Sequence, residues 1–362
     1  MADWSKLPFD LLVLIVRRIN FIDDFKRFRM VCQSWRSIYS LKKNNRSCSL
    51  LPSLLPLLML MEEVTRLHDI RKFFSPFNNK TYRINLPELH YGRCWGSSNG
   101  WLVTLSLSYK LHLVDPLTHV RILLPSLSEY ISLKISNCAD LYLSDINVDK
   151  VVISSGSSLG DSVVLAICNG NNVAFAKPGG ESWTPLQCGH VAVHDAIYFG
   201  GKFFVASYLG DVIICDSNGS HLKTVASHLK TEALTYIAEV GGQIYMIRRF
   251  TFSTEDADNL DAVTLGFNVY KLDKCNDKFE EVETLGNWSI FVGSNYSFSI
   301  SGTDYPSYKS NLIFFSDNYF PTSGSPYDVG FYSLDDDHVC PLFEKNLLCS
   351  KKYLPVWIKL SW

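Results

Sequence analysis

The sequence predicts a mainly β fold: a ring of about five or six small sheets, arranged as a propeller, behind a head of three short helices. Three observations carry that prediction. From residue 80 onward, short runs rich in Val, Ile, Phe and Tyr alternate with Gly, Asn, Asp and Pro, with no strongly amphipathic helix among them. A glycine doublet leading into an apolar run occurs at Gly200-Gly201 and again at Gly241-Gly242, 41 residues later, which is about one propeller blade. Residues 4–46, by contrast, carry apolar side chains at helical three-and-four spacing.

Composition removes other classes. The 362 residues are 47% hydrophobic, 13% aromatic and only 19% charged, which excludes a disordered chain. A chain of this length buries enough surface to need no disulfide or metal staple. Net charge is −2, but residues 1–50 hold ten basic and four acidic residues, +6, and the remainder is −8. A basic head on an acidic body suits a head that meets an acidic partner, and on charge alone equally a solvated basic face. The ten cysteines are scattered, with no C-x-x-C pair, as expected for free thiols in a reducing compartment. MADWSKLPFD lacks a basic segment leading into an apolar one, so no export signal is expected, and five N-x-S/T sequons are read as chance matches. The most apolar run, Leu50 to Met61, is shorter than the ~20 residues of a membrane span and holds two prolines. A soluble chain of the nucleus or cytoplasm is expected.

The head is read in order. Pro8 suits a first helical turn, and Asp10 just behind it favours the positive end of the helix dipole. Leu7, Leu11, Leu14, Ile15 and Ile19 then form one apolar face. Asp23 or Asp24 is expected to cap a second helix carrying Phe25, Phe28 and Val31. Ser34 is expected to cap a third, holding Trp35 and Ile38. Three helices this short cannot bury their own apolar surface, so the head must dock on a partner or lean on the body.

LPFDLLVLIVRRI followed by DDFKRFRMVCQSWRSI resembles the F-box, a helical module that binds the Skp-type adaptor of cullin-based ubiquitin ligases. The Leu-Pro start, the acidic residue, the apolar heptad and the V-C-x-S-W-R ending occur in order over residues 5–40. The resemblance implies an adaptor-binding face made of Leu7, Pro8, Asp10, Leu11, Ile15, Val31, Cys32 and Trp35.

The body follows as strands. Asn169 to Asn172, NGNN between two apolar runs, is a hairpin signal. THVRILLP, ESWTPLQ, HLKTVAS, FEEVETLG and HVCPLFE read as strands with a polar edge, recurring about 40 or 60 residues apart. The glycine doublets suggest kelch-like blades, in which Gly permits a tight backbone approach. A pair of β-sandwiches is the alternative, because the spacings are unequal. The domains expected are 4–46, a connecting segment at 47–79, and the propeller at 80–362. GSSNGWLVTLS, LHLVDPLTHVRILLP, AIYFGGKFFVASYLGDVIICD and YIAEVGGQIYMIRR, with FNVYKLD, EEVETLGNWSIFVG and SNLIFFSDN, are similar to the KIB-type propeller that follows an F-box in many plant proteins. An inserted acidic loop at Glu255, Asp256, Asp258 and Asp261 departs from that pattern and is read as a solvated excursion between strands.

Several motifs resemble chemistry without its context. Gly96 to Gly100 matches G-x-S-x-G, but a nucleophile elbow at Ser98 needs a following helix, and WLVTLSLS reads as a strand. Asp145-x-Asn147-x-Asp149 opens like a calcium loop, yet Lys150 and Gly156 stand where Gly and Glu are required. His190 and His194 have helical metal spacing in what reads as a strand, where ~3.3 Å per residue separates them too far for one zinc. Asp335-Asp336-Asp337-His338 reads as a turn. No cofactor or metal and no catalytic residue is expected.

The resemblances together imply a non-catalytic substrate receptor of an SCF-type ligase. Its expected partners are the Skp-type adaptor, the cullin through it, and a protein substrate, with no nucleic acid and no membrane. A propeller hydrolase or oxidase, or a propeller scaffold outside any ligase, are the alternatives.

Overall fold

The structure, a computed structural model, describes residues 3–37, 54–60, 69–89, 93–96, 100–106, 110–117, 119–127, 148–154, 159–170, 172–186, 192–226, 229, 231, 233–253, 262–316, 327–343 and 354–360. Among these, six antiparallel-rich sheets follow one another along the chain and form the six blades of a propeller. Blade one holds Leu57–Leu60, Ile70–Ser75 and Lys80–Asn85, with Val356–Ile358 as its innermost strand. Blade two holds Arg93–Gly96, Leu102–Leu105, Leu111–Val114 and Arg121–Leu123. Blade three holds Val148–Ile153, Val164–Cys168, Asn172–Ala176 and Thr184–Pro185. Blade four holds Val193–Phe199, Lys202–Ser207, Val212–Cys215 and His221–Val225. Blade five holds Leu234–Val240, Gln243–Ser253, Ala262–Asp273 and Lys278–Val282.

Blade six has five strands. Phe298–Ser301 is innermost, then come Trp288–Val292, Leu312–Phe315, Gly330–Ser333 and His338–Pro341. Trp288–Val292 runs parallel to Leu312–Phe315, so it is a strand inserted between the hub strand and the usual second strand.

The sequence signals map onto this ring. Both glycine doublets are the turn between a blade's first and second strands, with φ of +57° and +81° at Gly200 and Gly201 and +57° and +79° at Gly241 and Gly242. Two consecutive positive φ values define the type I′ turn, whose twist matches a hairpin. Asn169 and Gly170 also have positive φ (+51° and +68°), in the hairpin joining the second and third strands of blade three where the NGNN signal predicts one. The five polar-edged segments supply the outermost strand of blades two to six, where one face and one edge meet water.

The ring starts earlier than residue 80. Leu57–Leu60 and Ile70–Ser75, inside the segment expected to connect head and body, are strands of blade one. Leu57, Leu58 and Met59 are all buried, so this strand lacks the alternation that marks a half-exposed one. The ring closes there: Leu58 lies opposite Phe74 on one side and Trp357 on the other, joining early and late parts of the chain in one sheet.

The head is three short helices: α1, Phe9–Val16; α2, Ile22–Met30; α3, Gln33–Ser37. Pro8 is the N-cap of α1, and its carbonyl accepts from the Leu11 and Leu12 amides. Phe21, not an aspartate, caps α2; Asp23 and Asp24 lie inside its first turn, where they still face the positive dipole end. Ser34 is within α3 rather than capping it, and Ile38 lies outside the described residues.

Candidate docking face

Helix α1 is apolar on two sides. Leu12 and Val16 point inward and pack with Phe28 of α2, and Leu7, Ile15, Ile19 and Trp35 cover that small cluster in part. Leu11 and Leu14 point outward into water. The single face expected from Leu7, Leu11, Leu14, Ile15 and Ile19 is therefore split. A helix one side of which completes a core keeps only the other side for a partner.

Trp35 ties the head together. Its ring lies 4.7 Å from that of Phe28, and its Nε1–H donates to the Trp4 carbonyl at 3.0 Å. Pro8 and Asp10 are exposed at the start of α1, Cys32 is half-buried, and Val31 is exposed at the end of α2. The expected residues thus divide: Leu7, Ile15 and Trp35 support the helices, while Pro8, Asp10, Leu11 and Val31 face solvent. Trp4, Phe9 and Met30 are also exposed, as is Leu14, which was expected on the apolar face of the first helix; none of the four is among the expected adaptor-binding residues. With Leu11 and Val31 they make six exposed large apolar residues, 46–75% accessible, within this small head. For two of the four a signal was present, since helical spacing places Leu14 one turn beyond Leu11 and Met30 adjoins Val31. Arg17, Arg18, Lys26, Arg27 and Arg36 are exposed around them, with Arg27 paired to Asp24 at 3.2 Å.

The head also leans on the body. Ile22 and Phe25 of α2 are buried in the core of blade one, among Leu54, Leu57, Met59, Phe73, Val356 and Leu360. The Leu55 amide donates to the Asn20 carbonyl at 3.0 Å. One side of α2 thus belongs to the propeller core and fixes the head's orientation on the ring.

The chemistry-like motifs resolve as architecture. Gly96 ends one strand and 102–105 forms the next, so the G-x-S-x-G segment joins two strands of blade two; Ser98 itself lies outside the described residues. Asp149 and Lys150 lie in the first strand of blade three, and Asp149 accepts from the Gly170 amide. Asp145, Asn147 and His190 lie outside the described residues, as does the acidic loop. His194 is buried, and its Nδ1–H donates to the Thr235 carbonyl at 2.7 Å. The Asp335–Asp337 segment is a turn, with Asp337 at φ +50°, and Lys309 pairs with Asp335 and Asp336. Cys94, Cys168 and Cys215 are buried free thiols, and burial raises the Cys94 thiol to about 12. Among the described residues no group of three or more metal-ligating side chains converges, and no helix is long and apolar enough to cross a membrane.

One polar cluster stands at the hub. Lys150 donates to the Gly293 and Asn295 carbonyls at 2.7 and 2.6 Å and pairs with Asp195 at 3.0 Å. Asp195 also accepts from Ser297 Oγ and from the Ile237 amide. Asn295 Oδ1 accepts from the Trp357 amide at 3.4 Å. The loop 293–297, which joins the extra strand of blade six to the hub strand, is thereby bonded to blades one, three and four. Burial holds the Lys150 ammonium below its ordinary range, while Asp195 draws it back up. With its donors and acceptors satisfied in this way, the pair is built to fasten blades together.

Three short helices seated on a six-bladed propeller make up the described chain. Residues 4–45 match the F-box domain, and residues 73–333 match the KIB1-4 beta-propeller. The chain belongs to the KIB1-4 beta-propeller family and carries an F-box domain ahead of its propeller. It is similar to several Arabidopsis thaliana proteins over nearly its full length. F-box protein SKIP23 is 24% identical, covering 100% of this chain and 94% of that one. F-box protein At2g17036 is 25% identical over 84% and 80% of the two chains, and F-box protein At2g26160 24% identical over 87% and 96%.

Proposed function

We propose that this protein is the substrate-receptor subunit of an SCF-type ubiquitin ligase. Its F-box binds a Skp-type adaptor and, through it, a cullin, and its propeller holds the protein to be modified. The observation that supports this most is the two-sided α1: one apolar side completes the head, and the other presents Leu11 and Leu14 to solvent, while Met30 and Val31 at the end of α2 are exposed as well. Exposed apolar clusters on a rigid element mark protein contacts. The surrounding Arg17, Arg18, Lys26 and Arg27 suit an acidic adaptor.

The chemistry asked of this chain is positional. Holding a substrate beside a charged conjugating enzyme makes the transfer effectively intramolecular, without a nucleophile here. The fixed seat of α2 on blade one sets the distance and direction between adaptor and substrate. The relatives, all F-box proteins, agree with an adaptor role. Co-purification tests the reading: the intact chain expressed in plant cells is expected to bring down a Skp-type adaptor and a cullin in stoichiometric amounts. Recovery of the folded chain without either would overturn it.

A further inference from the structure

Among the described residues the buried cations are Lys150, Arg248 and Arg249, each 1% exposed. Lys150 has its counter-charge in Asp195 and Arg249 in Asp328, both at 3.0 Å. Arg248 has none: among the described residues no carboxylate lies within ion-pair distance of it. Its Nε is buried without a hydrogen-bond partner. A buried guanidinium that lacks an acid is costly, and folded proteins hold such a charge against an anion.

Arg248 reaches one residue with both arms of its fork. Thr231 lies between the last strand of blade four and the first of blade five, while Arg248 stands in the second strand of blade five. Nη2 donates to the Thr231 carbonyl, and Nη1 to Thr231 Oγ1 at 3.5 Å. Across the sheet, Asn268 is directly opposite Arg248 and gives its amide to Glu281 Oε1 at 2.8 Å. That carboxylate is thus engaged by Asn268. Thr231 is exposed, whereas Arg248 is not. The hydroxyl is open to an enzyme from outside while it stands against a cation fixed within. A contact of 3.5 Å is at the long end of hydrogen bonding and takes up a small part of what a guanidinium can donate.

We propose that Thr231 is a phosphorylation site and that Arg248 receives its phosphate. A protein kinase supplies the group from ATP. The Thr231 oxygen gains the bond to the γ-phosphorus, the bond from that phosphorus to the β–γ bridging oxygen breaks, ADP leaves, and the hydroxyl proton passes to the kinase's base. The product carries a charge of about −1.5 to −2 at pH 7 and three strong acceptor oxygens. Set on Oγ1, those oxygens meet the guanidinium edge in the fork geometry that arginine offers to phosphate. The modification gives the buried cation its counter-charge and ties the entry segment of blade five to that blade's second strand. It concerns the ring itself and does not depend on the adaptor.

The test uses the full chain, made with phosphothreonine at position 231 and compared with the unmodified chain. A phosphorus NMR titration is expected to place the phosphate's second ionisation about one pH unit below its ordinary value of about 6, because a neighbouring cation favours the dianion. Arg248→Gln should return it to the ordinary value. Exchange of the Ala233 and Leu234 amides should slow about tenfold on phosphorylation, a readout that needs no substitution and so stands even if the glutamine variant does not fold. An unshifted ionisation, a shift that survives Arg248→Gln, or unchanged exchange overturns the proposal. A free phosphate ion offers the same oxygens, so inorganic phosphate is the second arm. If it raises the thermal midpoint of the unmodified chain and of Thr231→Ala alike, but not of Arg248→Gln, Arg248 is a site for a free anion and the proposal is overturned. Phosphopeptide mapping of the chain purified from plant cells under phosphatase inhibition is expected to find the group on Thr231. An unmodified Thr231 in that preparation overturns the proposal as well.

Discussion

Lys150 shows how little of a hub is visible from a local window of sequence. Read locally, it is only the wrong residue at the sixth position of a calcium loop. Its partners Asp195, Gly293 and Asn295 lie far along the chain, and only ring closure brings them together. Lys150→Met removes the cation and leaves the Asp195 carboxylate buried without its counter-charge. The expected cost is about 3–5 kcal/mol of stability, read as a fall in the urea midpoint. His194 gives a prediction in pH. Burial lowers its pKa to about 3, against 6.5 for the free side chain, so the fold accepts only the neutral ring. Below pH ~6.5 the unfolded chain takes up a proton that the folded chain refuses, so stability falls as pH drops through that window. By pH 5 the loss from this one group is about 2 kcal/mol. His194→Asn, which keeps a side-chain donor, should flatten the dependence of the urea midpoint between pH 5 and 6.5.

At the scale of elements, exposure decides what could be read. The outer strands of five blades were legible because one face and one edge meet water, which imposes alternation and polar ends. Leu57–Leu60 was not, because its burial on both sides erases alternation, and its neighbouring prolines suggest a connection. The head's three helices were legible from spacing, but not which apolar side each would keep, because that depends on α2 having a seat on blade one. The expected docking residues were accordingly a mixture of supports and exposed side chains. The exposed pair gives the cleaner experiment. Leu11→Ala with Leu14→Ala leaves the Leu12, Val16 and Phe28 cluster intact and favours the helix by propensity. Adaptor binding should weaken by several kcal/mol, at about 2 kcal/mol for each anchor, with no change in the thermal midpoint of the propeller. Wild-type adaptor capture by this variant would remove α1 from the interface.

The whole molecule does not separate into a detachable head and an indifferent body. Removing residues 1–46 strips Ile22 and Phe25 from the core of blade one and uncovers Leu54, Leu57 and Met59. Each lost large apolar side chain costs about 2–5 kcal/mol in a packed core. The headless chain is therefore expected to melt at a lower temperature and to aggregate more readily than the intact one. A headless chain with an unchanged midpoint would show that the contact adds nothing. Substitution at α1 is the sounder way to separate adaptor binding from substrate binding.

The strand Val356–Ile358 has a consequence for synthesis. It is made after every other strand of the ring, yet it is the innermost strand of the first blade, and Val356 and Leu360 help to line the seat of α2. During translation the docking module leaves the ribosome early, but the surface that orients it is unfinished until these residues follow. A chain broken off before Val356 would have an open ring, and its head would sit on a seat lacking Val356 and Leu360. Completeness of the polypeptide is thus built into the pose of the helical head on the ring.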